Sequence, residues 1–335
     1  MKIQKAIVII LLWSASHTVL GDTKINGVSF VASRDKAVPE NVIPVVELNA
    51  NFAAVMPFGF VRDLGSPEVR FNTDRQWYGE TIEGAQQYIE LLQKSDIKIM
   101  IKPQIWIWRG DYTGHLKMAS EEHWRELEVS YRQFILAFAG LAEEVNAEIF
   151  CIGTELEMFI KERPEFWEKL IKDVKTRYTG KLTYAANWDE YPRVPFWQEL
   201  DYIGVDAYFP IAEQKTPSVA EAKEGWQTWK TKLQSFSESN ARPILFTEFG
   251  YRSIDHAGRE PWQSDRTIIE ANLQAQSNLT EALFSEFWRE TWFAGGFVWK
   301  WFLDHKSSGG VNDNRFTPQN KPVEDVIRQQ YLADE

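Results

Sequence analysis

Eight short β-rich runs recur along this chain, separated by longer stretches, several of them with helical periodicity. The runs are Gly27–Ala32, Phe52–Phe58, Ile97–Pro103, Glu148–Gly153, Lys181–Ala186, Tyr202–Tyr208, Pro243–Thr247 and Gly296–Trp301. Between the second and third, Ile82, Ala85, Ile89 and Leu92 fall on one helical face. Trp124, Leu127, Tyr131, Phe134, Phe138, Leu141 and Val145 do the same before the fourth run. Phe166, Leu170, Val174 and Tyr178 follow it, and Val219, Ala222, Trp226, Trp229, Leu233 and Phe236 precede the seventh. Strands that alternate with helices pair in parallel, and eight such units close into a (β/α)8 barrel. An open doubly wound sheet usually carries a Gly-rich first turn, and Ser29-Phe-Val-Ala-Ser-Arg34 has none. No linker, repeat or low-complexity stretch divides the chain, so 22–335 is expected to be one domain.

Residues 1–21 are read separately. Lys2 and Lys5 precede the apolar run Ala6–Trp13, and small and polar residues continue to Gly21. That is the pattern of a secretory signal peptide, too short for a membrane span. It predicts a secreted or periplasmic protein with no membrane attachment after cleavage. No Cys follows the apolar run, which speaks against a lipid anchor. Cys151 is the only cysteine, so no intramolecular disulfide forms, and its neighbours Phe150 and Ile152 mark it as a core thiol.

The net charge is −11, and it becomes −13 once Lys2 and Lys5 are removed with the leader. With no basic stripe, the chain is a poor partner for nucleic acid. Uncharged polysaccharides and oligosaccharides remain as substrates.

Barrel active sites stand at the C-terminal ends of the strands. The fourth run ends in Gly153-Thr-Glu-Leu-Glu157 and the seventh in Thr247-Glu-Phe-Gly-Tyr251. Each sets a carboxylate at the barrel mouth directly after an apolar strand, where burial is costly without a purpose. Paired carboxylates suit cleavage of a glycosidic bond: one protonates the leaving oxygen, and the other attacks the anomeric carbon or activates water. Glu157, two residues beyond Glu155, is the competitor for the acid role.

The 15 Trp residues exceed what core filling needs. Trp124, Trp167, Trp226 and Trp229 lie at helical core spacing. Trp106, Trp108, Trp188, Trp299 and Trp301 lie on or just after strands, where a sugar's C–H face can stack on them. Lys102, Gln104, Asn187 and Asp206 are candidates to hydrogen-bond sugar hydroxyls or to close a network at the barrel mouth, with Arg62 and Arg252 weaker. The histidines lack ligand spacing, so no metal site and no cofactor is expected.

Four segments together resemble the retaining glycoside hydrolase clan with (β/α)8 barrels, and within it the family 113 β-mannanases. They are Ile-Lys-Pro-Gln-Ile-Trp at 101–106, Cys-Ile-Gly-Thr-Glu-Leu at 151–156, Thr-Glu-Phe-Gly-Tyr at 247–251 and Phe-Thr-Pro-Gln-Asn-Lys-Pro at 316–322. The resemblance spans essentially the whole chain after the leader. It implies Glu155 as acid/base and Glu248 as nucleophile. It also implies Tyr208 as the tyrosine that hydrogen-bonds the nucleophile, and Trp299 as the aromatic floor under the sugar at the cleavage point. One departure stands out: where the clan commonly has Asn contacting the sugar 2-hydroxyl, this chain has Thr154. The resemblance thus implies a retaining hydrolase of β-1,4-mannan or manno-oligosaccharides. A β-glucan or short-oligosaccharide hydrolase of the same clan is the alternative. A non-catalytic carbohydrate-binding barrel would be expected to lack one of the two Glu residues.

Overall fold

The computed structural model describes residues 23–264, 267 and 270–333. The leader expected at 1–21 lies outside the described residues. In chain order the strands are β1 (Ile25–Phe30), β2 (Phe52–Val55), β3 (Phe58–Val61), β4 (Lys98–Ile101), β5 (Gln104–Ile107), β6 (Ile149–Thr154), β7 (Lys181–Asn187), β8 (Ile203–Asp206), β9 (Ile244–Phe249) and β10 (Phe293–Trp301). Eight of them close a parallel barrel in the order β1-β2-β4-β6-β7-β8-β9-β10, which returns to β1. Each of the eight expected runs supplies one barrel strand.

Two of those runs are interrupted by proline. The ladder of β2 and β4 stops before Met56-Pro57 and Lys102-Pro103, because a proline nitrogen cannot donate to a ladder. Pairing resumes beyond as β3 with β5, in the register Phe58↔Gln104 to Val61↔Ile107. This two-stranded arm carries Gln104 and Trp106 out past the rim.

The helices are α1 (Ile43–Glu47), α2 (Ile82–Gln93), α3 (Glu121–Glu144), α4 (Glu157–Glu162), α5 (Pro164–Lys175), α6 (Val219–Asn240), α7 (Leu273–Phe287) and α8 (Pro322–Leu332). Their starts follow local chemistry. Thr81 caps α2, Ser120 caps α3, and Ser218 with Glu221 closes a capping box on α6. Alternation fails once. Between β7 and β8 only two single-turn 3-10 segments occur, Tyr191–Arg193 and Trp197–Glu199, and Tyr191, Phe196 and Trp197 do the packing there. The C-terminal helix ties back to the first strand, with Tyr331 OH donating to Gly27 O at 2.8 Å.

Apolar side chains fill the barrel interior, among them Phe52, Ala54, Met100, Ile149, Cys151 and Leu245. Side chains alternate along a strand. Lys102 therefore stands one layer above Met100, at the end of the barrel where β6, β8 and β9 finish. A much larger apolar layer joins the sheet to the helices, with Trp124, Trp167 and Trp226 inside it as expected. Cys151 is fully buried, and burial pushes its thiol up to about 11, which leaves it unreactive at neutral pH.

Candidate active site

β6 delivers Glu155. Gly153, two residues earlier, is required by close approach: a Cβ there would lie 2.6 Å from Tyr131 OH and 2.9 Å from Trp167. At Glu155 the backbone turns into the left-handed region, φ 50°. Its N–H bonds Ala185 O at 2.8 Å, and the next N–H, of Leu156, bonds Tyr184 OH at 2.6 Å.

β9 delivers Glu248, whose carbonyl accepts from Ala207 N at 2.7 Å. Gly250 follows because the chain there passes against the backbone of Trp299; a Cβ would sit 2.5 Å from Trp299 O. The Thr-Glu-Phe-Gly-Tyr segment is thereby tied to β10.

The Glu248 carboxylate is only 6% exposed and accepts on both oxygens. Lys102 Nζ lies 2.5 Å and Gln104 Nε2 3.0 Å from Oε1, and Tyr208 OH donates to Oε2 at 2.7 Å. Lys102 is shared: its ammonium also stands 3.3 Å from Asp206 Oδ1, which in turn accepts from Thr247 Oγ1 at 2.7 Å. Burial would depress Lys102, but Asp206 and Glu248 outweigh it and hold the ammonium above its ordinary value. One cation therefore faces two buried carboxyl groups and is not enough for a third. Glu155 meets that deficit: burial, and then the charges of Asp206 and Glu248, push its carboxyl well above the usual range, with Lys102 opposing. Asp206 is raised as well, by burial and then by Glu248. The two mouth carboxyls thus stand in opposite surroundings. Glu248 is offered three donors, while Glu155 is surrounded by negative charge, an arrangement that pairs an acid with a base.

The remaining candidates divide. Trp106 lies on β5 two residues beyond Gln104, hence on the same face, and is 49% exposed. Trp299 is half-buried on β10. Trp188 is half-buried and stacks on Trp262 at 5.2 Å and 18°. Asn187 is half-buried, bonding Asp189 Oδ1 at 3.1 Å and Trp188 N at 2.9 Å, with the Tyr112 hydroxyl also beside its side chain. Thr154 Oγ1 is enclosed with no hydrogen-bond partner.

Lys102 and Asp206 require correction as sugar contacts. They are 0% and 1% exposed, and their polar atoms are spent on each other, on Glu248 and on Thr247. Their burial makes them the support beneath Glu248, with no surface for a hydroxyl. Glu157 faces away into an ion pair with Arg193, Arg62 pairs with Asp63, and Trp301 is fully buried. Trp108 is 68% exposed at the outer rim. Among the described residues no cluster of His, Cys, Asp or Glu has the makings of a metal site.

Sequence reasoning missed three groups. Tyr112 is near enough for the charge of Glu155, after burial, to raise its phenol. Tyr184 and Glu190 are buried beside the Glu155 turn, with Tyr184 OH donating to Glu190 Oε1 at 2.7 Å. A tyrosine inside a strand reads as core, and a Glu in Trp188-Asp-Glu-Tyr191 reads as a surface loop. Neither carries a signal.

The sequence model of Glycoside Hydrolase Family 113 matches residues 32–321. Among solved structures, the GH113 β-mannanase of Alicyclobacillus acidocaldarius superposes with a TM-score of 0.82 at 23% identity, covering 93% of this chain and 98% of that one. A second GH113 β-1,4-mannanase gives 0.80 at 21% identity, covering 92% and 99%. At these identities the likeness is one of fold. A curated relative, dynamin-like protein 2 of Campylobacter jejuni, is 26% identical over 185 residues. That match covers 54% of this chain, and the chain spans only 27% of the relative's length.

Proposed function

The chain belongs to glycoside hydrolase family 113 and is a glycoside hydrolase, and from that premise we propose that it cleaves β-1,4-mannan or manno-oligosaccharides with retention, using Glu248 as nucleophile and Glu155 as acid/base. The observation that carries the reading is the unequal treatment of the two carboxyls. Glu248 is held by Lys102, Gln104 and Tyr208, all donors, while Glu155 is raised by burial and by neighbouring negative charge.

In the first step Glu248 Oε attacks the anomeric carbon while the proton of Glu155 passes to the departing glycosidic oxygen. The carboxylate becomes a glycosyl ester. In the second step Glu155, now ionised, takes a proton from water, and the water oxygen displaces the ester from the opposite face to return the original configuration. Formation of the ester removes the charge of Glu248, so Lys102 is left to Asp206 alone. The network therefore absorbs the change in charge without moving a solvated ion.

The substrate class is supported by the likeness to β-mannanases, by Trp106 exposed on the arm beyond Gln104, and by an acidic chain suited to a neutral glycan. Thr154 stands where an Asn contact to the 2-hydroxyl is common in the clan, so preference for the axial 2-hydroxyl of mannose is the finer point to test. We propose a secreted or periplasmic location from the leader alone; among the described residues no helix is long and apolar enough to cross a membrane.

The test incubates the protein and its Glu248→Ala variant with β-1,4-manno- and β-1,4-gluco-oligosaccharides, following product length and anomeric configuration by NMR. Retained-configuration manno-oligosaccharides, absent with the variant, are expected. Cleavage of only the gluco-series would keep the mechanism and replace the substrate. Inverted products would remove the nucleophile role from Glu248.

A further inference from the structure

Tyr184 and Glu190 are spent on the backbone of the turn that presents Glu155. The Tyr184 hydroxyl, fully buried on β7, accepts the N–H of Leu156 at 2.6 Å and donates to Glu190 Oε1 at 2.7 Å. Glu190 is 1% exposed, and its other oxygen accepts the N–H of Asn187 at 3.0 Å. The direction of this relay is fixed by the donors available. A hydroxyl has one proton and an amide N–H can only donate, so a lone pair faces Leu156 and the tyrosine proton is free to go to Glu190 Oε1.

Glu155 needs such a hold. Its φ of 50° is a left-handed conformation, which costs an L-residue roughly 1–2 kcal/mol. The N–H groups on both sides of this residue's Cα–C unit are anchored to β7, one by the main chain of Ala185 and one by the Tyr184 side chain. Tyr184 is itself wedged among Trp167, Phe196 and Trp197. A carboxyl buried as completely as Glu190 is expensive, and its partners give it one evident task, orienting the hydroxyl and the end of β7.

We propose that Tyr184 and Glu190 are positioning residues for Glu155, holding the Glu155–Leu156 turn so that the carboxyl meets the leaving oxygen. The inference rests on the reading of Glu155 as acid/base. It assigns to the pair an effect on proton transfer and none on attack by Glu248, whose carboxylate has its own donors in Lys102, Gln104 and Tyr208.

The experiment compares Tyr184→Phe, Glu190→Gln and Glu155→Ala on mannotetraose and on 2,4-dinitrophenyl β-mannoside. The dinitrophenolate leaves without a proton, so its glycosylation step, read as the pre-steady-state burst, does not need the acid. Azide is added to replace water without needing the base. For Tyr184→Phe the expected result is at least a tenfold loss of kcat on mannotetraose with KM little changed, part of the roughly 10²–10⁴ that acid–base catalysis supplies. Its burst rate on the activated substrate should stay within about threefold of the parent, with turnover raised by azide. Glu190→Gln keeps the shape and Tyr184 and should give the same pattern at smaller size, which preserves the test if Tyr184→Phe misfolds. Equal losses on both substrates would mean a merely structural role and overturn the proposal. So would unchanged mannotetraose hydrolysis in both variants while Glu155→Ala is inactive. Full mannotetraose hydrolysis by Glu155→Ala would instead overturn the acid/base reading itself.

Discussion

Lys102 Nζ lies 2.5 Å from Glu248 Oε1, and neither side chain is more than 8% exposed. A pair this deep is weak evidence of net stability, because desolvation offsets most of the attraction, but removing one partner strands the other. Lys102→Met leaves Asp206 and Glu248 facing each other without a cation. We expect it to destabilise the fold by about 3–5 kcal/mol at pH 7, measured by urea denaturation. At pH 5 the penalty should shrink, because Asp206, already raised by burial and by Glu248, then takes up a proton. A penalty equal at both pH values would mean that the stranded charges are not its source.

Glu190 makes a second pH-dependent contribution of known sign. Burial holds its carboxyl up at about 7, against 4.5 for an ordinary Glu. The folded state therefore binds this proton more tightly than the unfolded chain does. The stabilisation is complete below pH 4.5 and is lost as pH rises through 7, a fall of roughly 3 kcal/mol. Glu190→Gln has no proton to lose. Its stability relative to the parent should improve from pH 4.5 to 7 and then level off, as followed by denaturant titration at half-unit intervals. A constant difference across that range would show that Glu190 ionises normally in the fold.

Catalysis should report Asp206 as well. With Glu155 as the proposed acid, activity requires its carboxyl protonated, and the alkaline limb of the kcat/KM profile should follow it. Asp206 is the charge that, after burial, does most to raise it, and Lys102 opposes. Asp206→Asn removes the anion and leaves the ammonium. Loss of the anion, with the ammonium retained, favours ionised Glu155, so the alkaline limb should move to lower pH. A limb that stays put, or moves up, would contradict the electrostatic account of the acid.

The parts of this site that were legible in the sequence are those where a residue breaks the logic of its own segment. Glu155 and Glu248 end apolar strands, and their cost signalled a purpose. The (β/α)8 architecture was legible because each strand is a short apolar run, yet the arm of β3 and β5 was not. Pro57 and Pro103 sit inside runs whose composition stays strand-like, so 52–58 and 97–103 read as single strands. Helix α7 escaped because Gln276, Ser277, Thr280 and Glu286 occupy its buried faces and break the apolar stripe. Lys102 and Asp206 read equally as sugar ligands or as members of a network at the barrel mouth, and only the closed barrel shows them sealed beneath Glu248. Tyr184 and Glu190 join segments that the sequence leaves unrelated.

Thr154 offers the last test, and its two readouts should move in opposite directions from the usual pattern for a buried polar residue. Its hydroxyl oxygen is enclosed and unpaired. An unsatisfied buried hydroxyl costs the fold about 1–3 kcal/mol, so replacing it by a methyl of the same shape removes a penalty without opening a cavity. Thr154→Val should therefore be as stable as the parent or more so. If that hydroxyl is kept for the sugar 2-hydroxyl, the same variant should lose roughly tenfold in kcat/KM on mannotetraose, the worth of a hydrogen bond of about 1.4 kcal/mol. A substrate deoxygenated at that position should suffer no further loss in the variant, since the bond can be deleted only once. A stable and fully active Thr154→Val would leave the hydroxyl without a role in the sugar contact. Independent losses from variant and substrate would place the 2-hydroxyl partner elsewhere in the cleft.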